Sequence, residues 1–225
     1  MPETPTKRFR DLTIDGFVEH LSSASPAPGG GAASAIAASL GASLVAMVAG
    51  LSEGRERYSA HEEAHTRSKA AGLELADRLL QIADDDATAY DEFARALKLP
   101  RETDEQKAAR TAAVRAAARV AAEIPLLCVE ACVEIVRASE ALAGRSNRNA
   151  SSDLNVASLL AEAAVRGAAE NVFVNIPALG DEAYGEELRR RAEAGVAAVE
   201  DLARRTREAV ASGVEREPLP GGVAA

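Results

Sequence analysis

The stretch PAPGGGAASAIAASLGASLVAMVAGLS, residues 26–52, decides the fold. No Asp, Glu, Lys or Arg occurs between Glu19 and Glu53, and Ala, Gly and Ser dominate the run. Within it Ile36, Leu40, Leu44, Met47 and Leu51 recur at helical spacing. The pattern predicts a closely packed helix from about Ala32 to Leu51, with Ala33, Ala37, Ala38 and Gly41 opposite the larger side chains. Three glycines give the backbone access to φ > 0 and let a ligand or a second backbone come close. The bare N–H groups at a helix start suit anionic or polar ligand groups. The stretch therefore reads as a binding loop docked on a buried helix. It is a poor membrane span, because Ser34, Ser39 and Ser43 interrupt its apolar residues.

The rest of the chain is helical in composition. Of its 225 residues 47% are hydrophobic but only 3% aromatic, so the apolar content is Ala, Leu and Val. No strand alternation appears, and the expected fold is an all-α helical bundle. The net charge is −9 with basic residues interspersed among acids. That balance argues against non-specific binding to nucleic acid or to an anionic membrane. Cys128 and Cys132 share a helix face without a nearby His, so they read as two small core residues and not as a zinc or disulfide framework. His61 and His65 also share a face, but no ligand cluster completes a metal site. The N-terminus lacks the apolar stretch of a signal peptide, and a reducing cytoplasmic location is expected.

Residues 1–10 read as a disordered lead, residues 11–212 as one helical domain and residues 213–225 as a loose tail. A short helix is expected from Thr13 to about Ser23, with Ile14, Phe17, Val18 and Leu21 on one face. A long helical pattern runs from about Glu56 to Leu97. Its seam is Leu75, Leu79, Ile82, Tyr90, Phe93 and Leu97, and Asp86 falls on that seam. Thr103 and Gln106 form a capping box for a helix to about Ala122, and Pro125 is expected to open a separate helix to Leu142. After Gly144, the polar loop Arg145-Ser146-Asn147-Arg148-Asn149 leads into Ser151-Ser152-Asp153, which are strong helix-start residues. That helix runs to about Ile176, and a last one covers Asp181 to Ala211.

On the helix that begins near Asp153, one stripe carries Asp153, Ala157, Leu160, Ala164, Ala168, Asn171 and Asn175. Asp153 and Asn171 are about 27 Å apart at the helical rise, so they cannot serve one small-molecule site within one chain. Glu162 lies on the opposite side from Asp153, and four residues before Arg166 it reads as a surface ion pair. An ordinary role for Asp153 is a first-turn acid, and for Asn147 and Asn149 turn formation.

Several of these segments together resemble the cyclodeaminase/cyclohydrolase family. They are Pro26 to Gly31, Asp85-Asp86 with Ala89-Tyr90, Thr103 to Ala108, Pro125-Leu126, Asn149 to Asp153, Ala161 to Ala164 and Asn171 to Asn175. The match covers about residues 11–212, in the family's order. Asn155 stands where that family usually has Gly, and Ser151 where it usually has Ile or Val.

The resemblance implies an all-helical homodimer with reduced-folate sites near the subunit interface. It implies Asp153 as the catalytic carboxylate, with Pro28, Gly29, Gly30, Gly31, Asp86, Asn147, Asn149 and Ser152 binding substrate. The substrate would be a tetrahydrofolate derivative, with no metal, nucleic-acid or membrane partner. A carboxylate beside the amidinium-like 5,10-methenyl group can stabilise its charge and act as general base on water. The first expectation is a methenyltetrahydrofolate cyclohydrolase. The alternatives are a formiminotetrahydrofolate cyclodeaminase and a non-catalytic helical dimer scaffold.

Overall fold

A computed structural model describes residues 8–219 of the chain. Six α-helices make up the described residues, in the order α1 (Ile14–Leu21), α2 (Gly30–Gly50), α3 (Glu62–Leu97), α4 (Asp104–Leu142), α5 (Ser151–Asn175) and α6 (Glu182–Ser212). No strand occurs among the described residues. Short 3-10 turns precede α1, α3 and α5 and follow α5. α4 is the central element and packs on α2, α3, α5 and α6, while α2 lies between α3 and α5.

Local chemistry sets the starts. The Thr13 hydroxyl caps α1, the Thr103–Gln106 capping box starts α4, and the Asp181 carboxylate accepts the Tyr184 N–H at the start of α6. Each satisfies first-turn donors that have no partner inside the helix.

α2 packs by its small side. Ala35, Ala38, Ala42, Ala46 and Ala49 are buried, and neighbouring backbones come so close that glycine is required on the facing surfaces. A β-carbon at Gly72 of α3 would lie 2.7 Å from the Ala42 carbonyl oxygen, and one at Gly41 would lie 3.1 Å from the Ala157 carbonyl. The larger side chains face outward, with Leu40 56% and Met47 41% exposed. The closest packing goes to the smallest residues, as expected, while Leu40, Met47 and Leu51 of the larger stripe are left exposed and Ile36 and Leu44 pack at the edge of the core. α2 is long and apolar enough to cross a bilayer, yet 56% of its most apolar stretch is buried inside the bundle.

Two expected boundaries are corrected. Pro125 does not start a helix but lies inside α4, which runs unbroken from Asp104 to Leu142. A proline normally orphans the carbonyl four residues before it. Here the Ala121 carbonyl accepts a hydrogen bond from Asn175 Nδ2 at 2.9 Å. The expected disordered lead is ordered where it is described. Phe9 donates its N–H to Asp84, and its ring meets that of Phe17 edge-on at 5.8 Å; residues 1–7 lie outside the described residues.

The tail expected to be loose is tied down as far as Glu217. The Arg216 N–H bonds the Gly144 carbonyl, its guanidinium bonds Glu140, and Arg145 donates to the Glu217 carbonyl. Residues 220–225 lie outside the described residues. On α3 the seam is buried at Leu75, Leu79 and Ile82, whereas Tyr90 and Leu97 are exposed.

Candidate active site

The glycine run meets Asp86 at the start of α2. Gly29 is the N-cap and has no side chain to offer the first turn. Asp86, from α3, fills that place: its carboxylate faces the Ala32 N–H, which favours the charged form. Burial outweighs this and pushes the Asp86 carboxyl above the usual aspartate value. A β-carbon at Gly31 would lie 2.3 Å from Asp86 Oδ1, so glycine here permits contact with a side chain. None of the three glycines uses positive φ; that conformation occurs at Gly54, Gly144, Gly180 and Gly213. Pro28 is buried beneath the loop, whereas Gly30 is exposed.

α5 runs antiparallel to α2 and supplies the other wall. Asn171 Nδ2 is 3.6 Å from where a Gly30 β-carbon would sit, and it donates to the Gly167 carbonyl at 2.8 Å. Gly167 admits the Ser34 hydroxyl, whose proton goes to the Gly30 carbonyl. One end of the α2/α5 pair therefore gathers Gly30, Gly31, Asp86 and Asn171. Buried carboxyls with raised pKa beside bare N–H groups are suited to proton transfer and to holding polar ligand atoms.

Asp153 lies at the opposite end of the pair. It occupies the first turn of α5, where Ala150 is the N-cap and no side chain caps the helix. Its carboxylate has no hydrogen-bond or ion-pair partner among the described residues, although the residue is partly buried. The loop before it is held by hydrogen bonds. Asn147 donates its N–H to Ser52 Oγ at 2.8 Å, and its side-chain oxygen accepts the Asn149 N–H. Asn147 is thus spent on the turn, while the Asn149 and Ser152 side chains are exposed. Asn155, two residues beyond Asp153, keeps a buried Oδ1 without a donor among the described residues.

The predicted residues therefore fall into two groups within one subunit. Pro28 to Gly31 join Asp86, and Asn147, Asn149 and Ser152 join Asp153. Most of the length of α5, about 27 Å, lies between them. Asn171 was missed as a member of the first group, although it lies in one of the quoted motifs. The signal was its place on the stripe that faces α2.

Glu162 does not pair with Arg166. It is bound by the Arg207 guanidinium of α6 through two hydrogen bonds, while Arg166 pairs with Glu200. Cys128 and Cys132 are buried free thiols, and the Cys132 thiol is held well above its usual pKa by its hydrogen bond with Cys128 and by burial. His65 is fully buried with Nε2 2.8 Å from the Arg145 carbonyl. Among the described residues no group of three or more His, Cys, Asp or Glu side chains is placed to hold a metal ion.

Residues 13–194 match the family described as Formiminotransferase-cyclodeaminase. The chain is 39% identical over 204 residues to a methenyltetrahydrofolate cyclohydrolase of Methylorubrum extorquens, covering 90% of this chain and 97% of that one. It is 35% identical to a formimidoyltransferase-cyclodeaminase of Sus scrofa and 33% identical to one of Rattus norvegicus. These matches cover 85% and 83% of this chain but only 36% and 35% of those proteins. The crystal structure of a formiminotetrahydrofolate cyclodeaminase from Thermotoga maritima has the same fold, with a TM-score of 0.81 at 23% identity. It covers 90% of this chain and 98% of that one.

Proposed function

The chain belongs to the formiminotransferase-cyclodeaminase family, and from that membership we propose that it hydrolyses 5,10-methenyltetrahydrofolate to 10-formyltetrahydrofolate. The observation that carries this reading is the nearly end-to-end match at 39% identity to the Methylorubrum extorquens cyclohydrolase.

The enzyme acts as a homodimer whose sites are completed across the two-fold axis. Two features support this. The outer face of α2 is uncharged and exposes Leu40 and Met47, and α5 beside it exposes Val156 and Leu159. Isolated exposed leucines are ordinary, but a contiguous apolar helix face marks an interface. Because α2 and α5 are antiparallel, a two-fold packing of these faces sets the Gly31–Asp86 end of one subunit against the Asp153 end of its partner. A two-fold contact is self-complementary, so both sites form at once.

Across such a site the chemistry needs two carboxyl groups. Asp153 stabilises the methenyl cation and takes a proton from water as the water oxygen bonds to the one-carbon centre. The tetrahedral carbon then expels N5, and the bond electrons go to N5. Asp86, whose burial favours the protonated form, supplies N5 with a proton. Loss of the remaining hydroxyl proton forms the formyl carbonyl, so one water proton ends on N5 and one is released. The α2 N-terminus and Asn171 hold polar pteridine atoms.

A second reading is a formiminotetrahydrofolate cyclodeaminase, in which N10 attacks a formimino carbon and ammonia leaves. The matches to the rat and pig cyclodeaminases favour it. Incubation with methenyltetrahydrofolate, followed by its absorbance, tests the first reading; ammonia release from formiminotetrahydrofolate tests the second. Hydrolysis of the methenyl compound is expected, and ammonia release alone reverses the order.

A further inference from the structure

We propose that residues 213–217 form a strap that fixes the entry of α5, which makes Arg216 a positioning residue for Asp153. The proposal rests on the role given to Asp153 above. These residues follow the last helix and lie beyond the stretch 13–194 that matches the family, yet they are bound closely to the body.

Gly213 ends α6 in the left-handed conformation, with φ 60°, and the chain then crosses the end of α4. There the Arg216 N–H bonds the Gly144 carbonyl at 2.9 Å. The Arg216 guanidinium donates to the Glu140 and Ala143 carbonyls at 3.0 and 3.3 Å, and to Glu140 Oε1 at 2.8 Å. Arg145 donates from Nε to the Glu217 carbonyl at 2.6 Å. A β-carbon at Gly144 would lie 2.9 Å from the Val214 carbonyl oxygen, so strap and loop touch backbone to backbone.

A tail that only covered the end of α4 would need only the α4 carbonyls. This one also holds the loop between α4 and α5, through the Gly144 carbonyl and the Arg145 side chain. Arg145 is 7% exposed, and its guanidinium bonds two carbonyls, those of Glu217 and Ala141.

From this anchor, hydrogen bonds lead on to the helix start. The Arg145 carbonyl accepts from His65 Nε2 at 2.8 Å. The Asn147 carbonyl accepts the Ala150 N–H at 2.9 Å, and the Arg148 carbonyl accepts the Ser151 hydroxyl at 2.8 Å. α5 has no side-chain cap of its own, so the direction of its first turn is inherited from this loop. Asp153 stands in that turn. A misplacement of about 1 Å in a reacting geometry costs on the order of 100-fold in rate, so a loosened loop is felt at Asp153 while the bundle stays folded.

Arg216→Gln tests the strap and is expected to fold, because Arg205 still pairs with Glu140 at 2.8 Å. On methenyltetrahydrofolate it is expected to lower kcat about 10- to 100-fold. KM stays near that of the parent, because the α2 N-terminus and Asn171 hold the pteridine. Arg216→Lys keeps the charge but not the planar fork, and recovers part of the loss. Asp181→Ala removes the N-cap at the far end of α6 and is the control that lowers Tm but leaves kcat alone. A nitroxide attached through Asp153→Cys reads the strap without turnover. Cys128 and Cys132 are buried, so the label goes to position 153. Arg216→Gln is expected to make its spectrum more mobile, whereas Asp181→Ala leaves it unchanged. A more mobile label on a chain whose parent is inactive toward both folates supports the strap and overturns the folate reading instead. A label that Arg216→Gln leaves unchanged, or a kcat that falls no further than in Asp181→Ala, overturns the proposal.

Discussion

The Asn175 side-chain amide stands in for the backbone N–H that Pro125 lacks. Its Nδ2 donates to the Ala121 carbonyl at 2.9 Å, the acceptor that residue 125 would serve in an uninterrupted helix. The same nitrogen also bonds the Asn171 carbonyl within α5. A proline in the middle of α4 is thus tolerated because the neighbouring helix satisfies the orphaned group.

This relationship predicts coupling between the two positions. Asn175→Ala is expected to cost about 1–2 kcal/mol, the penalty for a carbonyl left without a donor. In a Pro125→Ala background, the restored N–H bonds Ala121 and the same substitution costs less by about 1 kcal/mol. Urea unfolding of the four proteins measures this, and additive effects would refute it.

The same pair shows where sequence reading stops. Proline was a sound breaker signal, but its effect was reversed by an asparagine fifty residues later, which no local pattern contains. Hydrophobic spacing did place α2, α3 and α5 along the chain, because helix periodicity is local. It placed the close packing on the small side of α2 but left open what covers the larger side: a stripe of leucines looks like a core face whether the core is the subunit's own or a partner's. Glu162 was paired with Arg166 by spacing, whereas tertiary packing offered it Arg207. The two site clusters were each legible as motifs. Their separation followed from helix length, but the contact of Gly31 with Asp86 depended on how α2 and α3 pack.

Gly31 and Gly30 are expected to respond oppositely to alanine. At Gly31 the new methyl would fall 2.3 Å from Asp86 Oδ1, and that short side chain is packed between two helices. Overpacking of this kind costs about 1–3 kcal/mol, and displacing Asp86 also removes activity. At Gly30 the nearest atom is 3.6 Å away, so alanine is accommodated and relieves the entropy of glycine in a helix, for about 0.5–1 kcal/mol of gain. Thermal melts and initial rates on both variants decide this; a Gly31→Ala protein as stable as its parent contradicts the contact.

Asp86 is expected to trade stability for function. Burial raises its folded pKa above the unfolded value, so the native state binds the extra proton between those two values. Stability contributed by this group is therefore greatest below the usual aspartate range. It declines as pH rises toward the folded pKa. Above that window Asp86→Asn removes the cost of a buried charge and is expected to raise Tm while lowering kcat. The gain disappears at pH values below the unfolded pKa. A Tm that falls on this substitution at a pH above both values would show that the charged form is the one the fold favours.

Mixing two inactive variants tests whether the halves of the site come from different subunits. Asp86→Asn and Asp153→Asn are each expected to lower kcat by about 10²–10⁴, the range for a lost proton-transfer group. Asp153 has no partner within its own chain among the described residues, so its loss should cost no more than the roughly 0.3–1 kcal/mol of a first-turn acid. When the two variants are unfolded together and refolded, half of the dimers carry one chain of each kind. In a two-fold dimer one of their sites then holds both lesions and the other holds none. Activity should recover to about a quarter of the wild-type value. A site built within one chain recovers nothing, because every copy then carries a lesion. The distance along α5 makes that second outcome incompatible with joint action of the two carboxyl groups: no rearrangement within a single α2/α5 pair shortens the 27 Å or so between the ends.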